Sequence, residues 1–223
     1  RAQVILAYPL SINRRVEFTN GYTRIAYSNE SQVLYTRNGK ILDEDREDLS
    51  APGALDLYEG ALAYVGDYAY FGFTSPVKGR RYRFEADPTI GALNFVTLIA
   101  DFREYLYANP FTFAFRLFHY GRYLKDAQSD RLSKLFLGNE TWVRGYSIYS
   151  FDFTNCDTLN GRCPEYDRLS GSRVVVGNAE FRIPLFGTEQ FGLINFPYVP
   201  TEISAFADAG IAWADGETPT MSW

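Results

Sequence analysis

Thr141-Trp-Val-Arg-Gly-Tyr146 decides how this chain is read, taken with Gly177-Asn-Ala-Glu-Phe-Arg182 and Phe206-Ala-Asp-Ala-Gly210 further on. The first stretch lies in a long polar loop, and the other two lie in strand-like segments. Side chains two apart on a strand share a face. Glu180 and Arg182 therefore point one way on their strand, and Phe206, Asp208 and Gly210 do so on the next. A charged Arg beside a Gly in Val143-Arg-Gly-Tyr146, with two carboxylates downstream to meet it, predicts a loop folded back into a protein-lined interior. There Asp208 takes the guanidinium fork of Arg144. Gly145 and Gly210 remove side chains where loop and wall approach closely, and Trp142 and Tyr146 pack on Phe206.

Composition allows this and excludes several other classes. The chain has 223 residues, 46% hydrophobic and 17% aromatic, with 17 Tyr and 18 Phe. A mean hydropathy of -0.22 excludes a bundle of membrane helices, and no apolar run reaches the ~18 residues of a spanning helix. Strands that alternate apolar-out and polar-in still cross a bilayer at such hydropathy. Composition alone leaves a soluble, Tyr-rich β-sandwich open. A net charge of -5 and a pI near 5.0 argue against nucleic acid as a partner. Arg outnumbers Lys by 18 to 4, which suits an interior of interlocking charges because one planar guanidinium holds several carboxylates. Cys156 and Cys163 lie close together in the long loop, where a disulfide would close a small lobe and imply an oxidising compartment. The chain opens at Arg1 without a signal peptide, so a processed or incomplete chain is expected.

Between the breakers the segments read as strands. In Arg80-Arg-Tyr-Arg-Phe-Glu-Ala-Asp87, Tyr82, Phe84 and Ala86 face one way and Arg81, Arg83, Glu85 and Asp87 the other. Phe111-Thr-Phe-Ala-Phe-Arg-Leu117 alternates likewise. Eight such segments are expected, at roughly 2–8, 13–36, 56–74, 80–91, 93–107, 110–122, 172–186 and 201–214. Short turns fall at Pro9-Leu-Ser11, Ser75-Pro-Val-Lys-Gly79 and Ala108-Asn-Pro110. The opposite end carries the acidic loop 38–55, the short join Pro88-Thr-Ile-Gly91 and the long loop 123–171. Short turns at one end and long loops at the other are the asymmetry of an outer-membrane barrel. Tyr105, Tyr107, Phe111, Phe118, Tyr120 and Tyr123 crowd predicted strand ends, as aromatic girdles do.

A loop bearing V-R-G-Y, a strand ending Glu-Phe-Arg-Ile-Pro-Leu185 and a strand with F-x-D-x-G resemble the bacterial outer-membrane barrel-assembly superfamily with its surface-antigen domain. The resemblance is most specific over residues 137–213. It implies an all-β transmembrane antiparallel barrel of sixteen strands whose sixth extracellular loop folds into the lumen. On that count residues 1–223 hold strands six to thirteen, about eight strands of one barrel domain, with the others absent; a complete eight-stranded barrel is the alternative. The resemblance also implies an outer-membrane location, unfolded outer-membrane proteins as clients, outer-membrane lipids and accessory lipoproteins as partners, and insertion of nascent barrels as the function. A polypeptide secretion pore of the same group, or a lipid-handling or surface-binding barrel, remains open.

Sites of other chemistry are not expected. No G-x-S-x-G, H-E-x-x-H or P-loop is present, so no catalytic residue and no cofactor is assigned. His119, the only His, shares a face with the Phe residues of its strand and is expected near a barrel rim. The acids Asp43, Glu44, Asp45, Glu47 and Asp48 lack calcium-loop spacing and read as solvated, so no metal is assigned.

Overall fold

The computed structural model describes residues 1–37, 39–146, 156, 163–217 and 219. Its first strands are β1 (Ala2–Ser11), β2 (Arg14–Ile25), β3 (Asn29–Arg37), β4 (Lys40–Leu49) and β5 (Leu55–Asp67). Then come β6 (Tyr70–Phe71), β7 (Pro76–Gly91), β8 (Phe95–Ala108), β9 (Phe111–Tyr123) and β10 (Leu135–Phe136). The short helix α1 (Pro164–Arg168) precedes β11 (Ser170–Gly171), β12 (Arg173–Gly187), β13 (Ile194–Asn195) and β14 (Thr201–Trp213). No described helix is long and apolar enough to cross a membrane.

Eight long strands, β1, β2, β5, β7, β8, β9, β12 and β14, lie side by side in chain order, each antiparallel to its neighbour. Among the described residues β1 pairs only with β2 and β14 only with β12, so the sheet does not close into a barrel. Sequential hairpins of this kind need only short connections at one end, which the turns at residues 12–13 and 109–110 supply.

Register sorts the side chains onto two faces. One row of cross-strand partners runs Asp67, Arg81, Arg103, Arg116, Asn178 and Asp208, through β5, β7, β8, β9, β12 and β14. The opposite face carries Leu62, Phe84, Phe115 and Leu117, which are 57%, 46%, 45% and 59% exposed. Large apolar side chains open to the surroundings on one face, with charges on the other, invert the pattern of a water-soluble sheet.

The charged face is covered from both ends. Four strand spacings separate β7 from β14, about 19 Å in a flat sheet. Yet Ser75, just before β7, donates its hydroxyl to Glu202 at the start of β14 at 3.0 Å. The 68–75 turn must therefore fold across that face, which is the inner one. From the other end, residues of the long loop settle on it. Leu137, 2% exposed, packs with Phe118, Val174 and Val176, and Trp142 and Val143 lie against the same cluster. A second cluster of Leu55, Leu57, Leu93, Phe95 and Ala127 closes the loop end.

Several boundaries differ from the sequence reading, each for a physical reason. The expected strand 13–36 breaks at residues 26–28, and the expected loop 38–55 contains β4, paired with β3 as a separate hairpin. Val33, Leu34 and Tyr35 are all about half exposed, so the described side chains of this hairpin form no buried face and show no clean alternation. The turn expected at Ser75–Gly79 lies at residues 68–75. Pro76 begins β7, a position where its missing N–H is tolerated, and Gly79 follows at φ +99°, where an added Cβ would also meet the Tyr68 carbonyl oxygen at 2.1 Å. The join expected at Pro88–Gly91 belongs to β7, and residues 92–94 make the connection. The β5–β7 ladder lapses at Asp87 and Pro88, as Pro cannot donate to it. The first turn lies at residues 12–13, beyond the expected Pro9–Ser11.

Truncating Leu137 removes the side chain on which the loop seats. Leu137→Ala is expected to cost about 2–5 kcal/mol, the range for emptying a buried leucine site. The cost would be read from urea unfolding, and cleavage within the long loop would speed up under limiting protease.

Candidate functional site

The loop is held before Arg144 is reached. Leu135 and Phe136 pair with Gly171 and Ser170, and the Leu137 amide donates to the Leu169 carbonyl at 2.8 Å. Asn139 then builds a turn by itself. Its Nδ2 donates to the Phe136 carbonyl at 2.9 Å, and its Oδ1 accepts the Thr141 amide at 3.0 Å. Asn side chains favour such local bonds to backbone. Asn178 on β12 donates Nδ2 to the Trp142 carbonyl at 3.1 Å, and the Trp142 ring lies 6.0 Å from Phe118.

Arg144 projects from this anchored turn onto the inner face. Its Nε and Nη2 donate to Asp208 Oδ2 and Oδ1, both at 2.8 Å, in the two-pronged geometry that favours Arg over Lys. Its backbone amide donates to Asp208 Oδ2 at 2.9 Å. Nη1 donates to Glu180 Oε2 at 3.0 Å, and the guanidinium carbon lies 3.9 Å from the Phe206 ring centre. The Asp208 side chain is 2% exposed and that of Arg144 34%. The hydrogen bonds that Arg144 donates to Asp208, and then the one to Glu180, raise its pKa against the opposing effect of burial. The cation therefore stays charged.

The ion pairs continue toward the turn end. Arg182 Nε donates to Glu180 Oε1 at 3.1 Å and lies 4.0 Å from Glu202 Oε1. Its Nη1 donates to the Pro76 carbonyl at 3.2 Å. Glu202 accepts from the hydroxyls of Thr74 and Ser75, each at 3.0 Å. Glu180 thus serves two cations at once and joins the loop to the turns at the far end of the sheet.

Val143, Arg144, Glu180, Arg182, Phe206, Asp208 and Gly210 all gather on or against the inner face, but two details differ from expectation. It is Arg144 that covers Phe206, while Trp142 packs on Phe118 and Tyr146 stays half exposed. Gly210 sits where loop and wall approach closely, as expected: the Cδ2 of the loop residue Leu137 would lie 3.1 Å from an added Cβ. No described atom lies within 4 Å of a Cβ added at Gly145, which instead adopts φ +92°, a left-handed conformation that glycine takes without strain.

Sequence reasoning missed the middle of the charged row. Arg103 and Arg116 each place two donors on the Asp101 carboxylate, at 2.8–3.1 Å. Arg83 joins Glu17 across the intervening β5 and also bonds Glu85, both at 2.6 Å. Alternation on each strand gave the signal of a charged face, but the partners follow only from register. Between loop and wall lies a cavity of about 230 Å³, lined in part by Arg103, Arg116, Trp142, Arg144, Glu180 and Arg182.

Cys156 and Cys163 form a disulfide, and residues 157–162 between them lie outside the described set. His119 is on the outer face near the loop end, with Nδ1 2.9 Å from the Val174 carbonyl and Nε2 2.9 Å from the Tyr123 hydroxyl. Among the described residues no group of three or more His, Cys, Asp or Glu side chains is placed to hold a metal ion.

A family model described as the Omp85 superfamily domain matches residues 1–222. No curated protein matches the chain.

Removing one partner strands a charge on the inner face. Asp208→Ala is expected to destabilise the folded loop by about 2–3 kcal/mol, below the ~3–5 of a wholly buried pair because Arg144 keeps a third of its side chain in water. A double-mutant cycle with Arg144→Ala measures the coupling. Additive losses would mean that the pair contributes nothing.

Proposed function

The chain belongs to the Omp85 superfamily, and from that premise we propose that it is part of an outer-membrane barrel that folds and inserts other outer-membrane proteins. The superfamily serves outer-membrane protein assembly or secretion in general. Within it, we read residues 1–223 as strands six to thirteen of one barrel, and the loop 123–171 as the sixth extracellular loop, folded inward. The observation that carries this reading is the Arg144 fork on Asp208, braced by Glu180.

The physical problem such a protein addresses is strict. A nascent barrel must satisfy its backbone polar groups before it enters hydrocarbon. A neighbouring wall that parts at a seam offers a strand edge on which the incoming chain pairs, as in β-augmentation. The loop lock supplies the complementary requirement: the wall opposite the seam must keep its shape while the seam moves. Arg144, Asp208, Glu180 and Arg182 tie loop, β12 and β14 together on the inner face without closing the outer one. In this reading unfolded outer-membrane proteins are the clients, accessory lipoproteins are partners, and the outer face of the strands meets lipid. The residues named have positioning roles and no catalytic one.

The test is an Arg144→Ala variant as the cell's sole copy, with folded outer-membrane porin measured by its heat-modifiable mobility. Folded porin is expected to fall several-fold. Arg144→Lys should rescue poorly, because a point charge cannot reproduce the planar fork. Unchanged porin would sink the assembly reading. Unchanged porin with a lost secreted polypeptide would move the function to translocation.

A further inference from the structure

We infer that the segment 188–200, which joins β12 to β14, is a membrane-interface anchor that rests in the head-group layer at the turn end of the barrel. This inference rests on the barrel reading above, in which the outer face meets lipid. From Gln190 to Thr201 the segment carries no charged side chain, between Glu189 and Glu202. Leu193, Ile194, Phe196 and Val199 are 51%, 55%, 44% and 59% exposed, and Tyr198 is 84% exposed. Contiguous apolar surface of this kind marks a contact with something other than water.

The segment continues the outer apolar face. Residues 111, 113 and 181 form an aromatic group there, with Phe181 5.5 Å from Phe111 and 5.0 Å from Phe113. Past the register shift at Pro184 and Phe186, the Phe186 ring lies 5.9 Å from Phe196, which lies 5.4 Å from Tyr198. The aromatic surface thus runs from the strands down onto the segment, and ends in the most exposed tyrosine of the group. A ring with an apolar body and a hydroxyl tip suits the boundary of lipid and water.

The backbone is prepared for the same place. Polar backbone groups that enter the boundary of a bilayer need partners within the protein. The amides of Phe191, Leu193 and Phe196 donate to the carbonyls of Thr188, Pro184 and Gly187 at 2.9–3.0 Å. β13 pairs with the end of β12, and Pro197 and Pro200 have no N–H to satisfy. A charged protein partner would find no complementary charge between 190 and 201, whereas a lipid surface requires none.

Nitroxide labelling of the full-length protein in phosphatidylethanolamine–phosphatidylglycerol vesicles tests this. The chain's two cysteines are joined in a disulfide, so with any cysteine outside residues 1–223 replaced by Ser, Tyr198→Cys supplies a single reactive thiol at an exposed position. Parallel labels at Leu117→Cys, on the outer strand face, and Lys125→Cys, on the exposed loop end, calibrate lipid and water. Collision of the Tyr198→Cys label with a water-soluble nickel chelate is expected to fall at least ~3-fold below that at Lys125→Cys, with oxygen access retained, as for an interfacial side chain. Nickel access equal to that at Lys125→Cys would overturn the anchor. So would a label shielded from both reagents, which would mean a protein covers the segment. If the Leu117→Cys label is itself in water, the barrel reading fails. If it is in lipid while the Tyr198→Cys label is not, only the anchor fails.

Discussion

One guanidinium organises the inner face of this sheet. Arg144 is the point at which a long loop, β12 and β14 become one unit, because its fork fills both oxygens of Asp208 and its remaining nitrogen reaches Glu180. Asp208 is almost wholly buried, and a carboxylate taken out of water must be met by donors. Three come from Arg144 itself, counting its backbone amide. The loop is therefore required by the wall as much as the wall is required by the loop.

That constraint propagates because the charges share acceptors. Glu180 divides its two oxygens between Arg144 and Arg182, and Arg182 also holds the Pro76 carbonyl. Glu202 then gathers Thr74 and Ser75. Groups that share partners in this way do not contribute additively. The arrangement explains how the inner face stays ordered with few apolar side chains between β7 and β14. The apolar clusters sit mainly beneath the loops, at Leu137 and at Leu55.

The two faces answer to different surroundings, and the difference is set by parity. Residues such as Phe84 and Leu117 alternate with Arg83 and Arg116 along the same strands. A one-residue slip would place every charge on the apolar side. Cross-strand ion pairs penalise such a slip. The bond of Arg83 to Glu17 reaches across β5, and that of Arg116 to Asp101 joins β9 to β8. The charged interior thereby fixes the register that presents the apolar exterior.

Much of this was legible in the residues alone. Alternation on Arg81–Asp87 and Phe111–Leu117 determined strands, their faces and the all-β class, since a period of two is local geometry. The spacing of Glu180 with Arg182 and of Phe206 with Asp208 determined which side chains could reach Arg144. The β3–β4 hairpin was not legible, because a strand pair whose described side chains form no buried face leaves no alternation to read. Nor was the Asp101–Arg103–Arg116 group, nor the seating of Leu137 against Gly210, nor the contact of Ser75 with Glu202. Each joins residues distant in sequence, and only pairing register and the folding of the loop and turn onto the sheet bring them together. Local periodicity decided what each strand offers; tertiary structure decided whom it meets, because hydrogen bonds and ion pairs are satisfied in space and not along the chain.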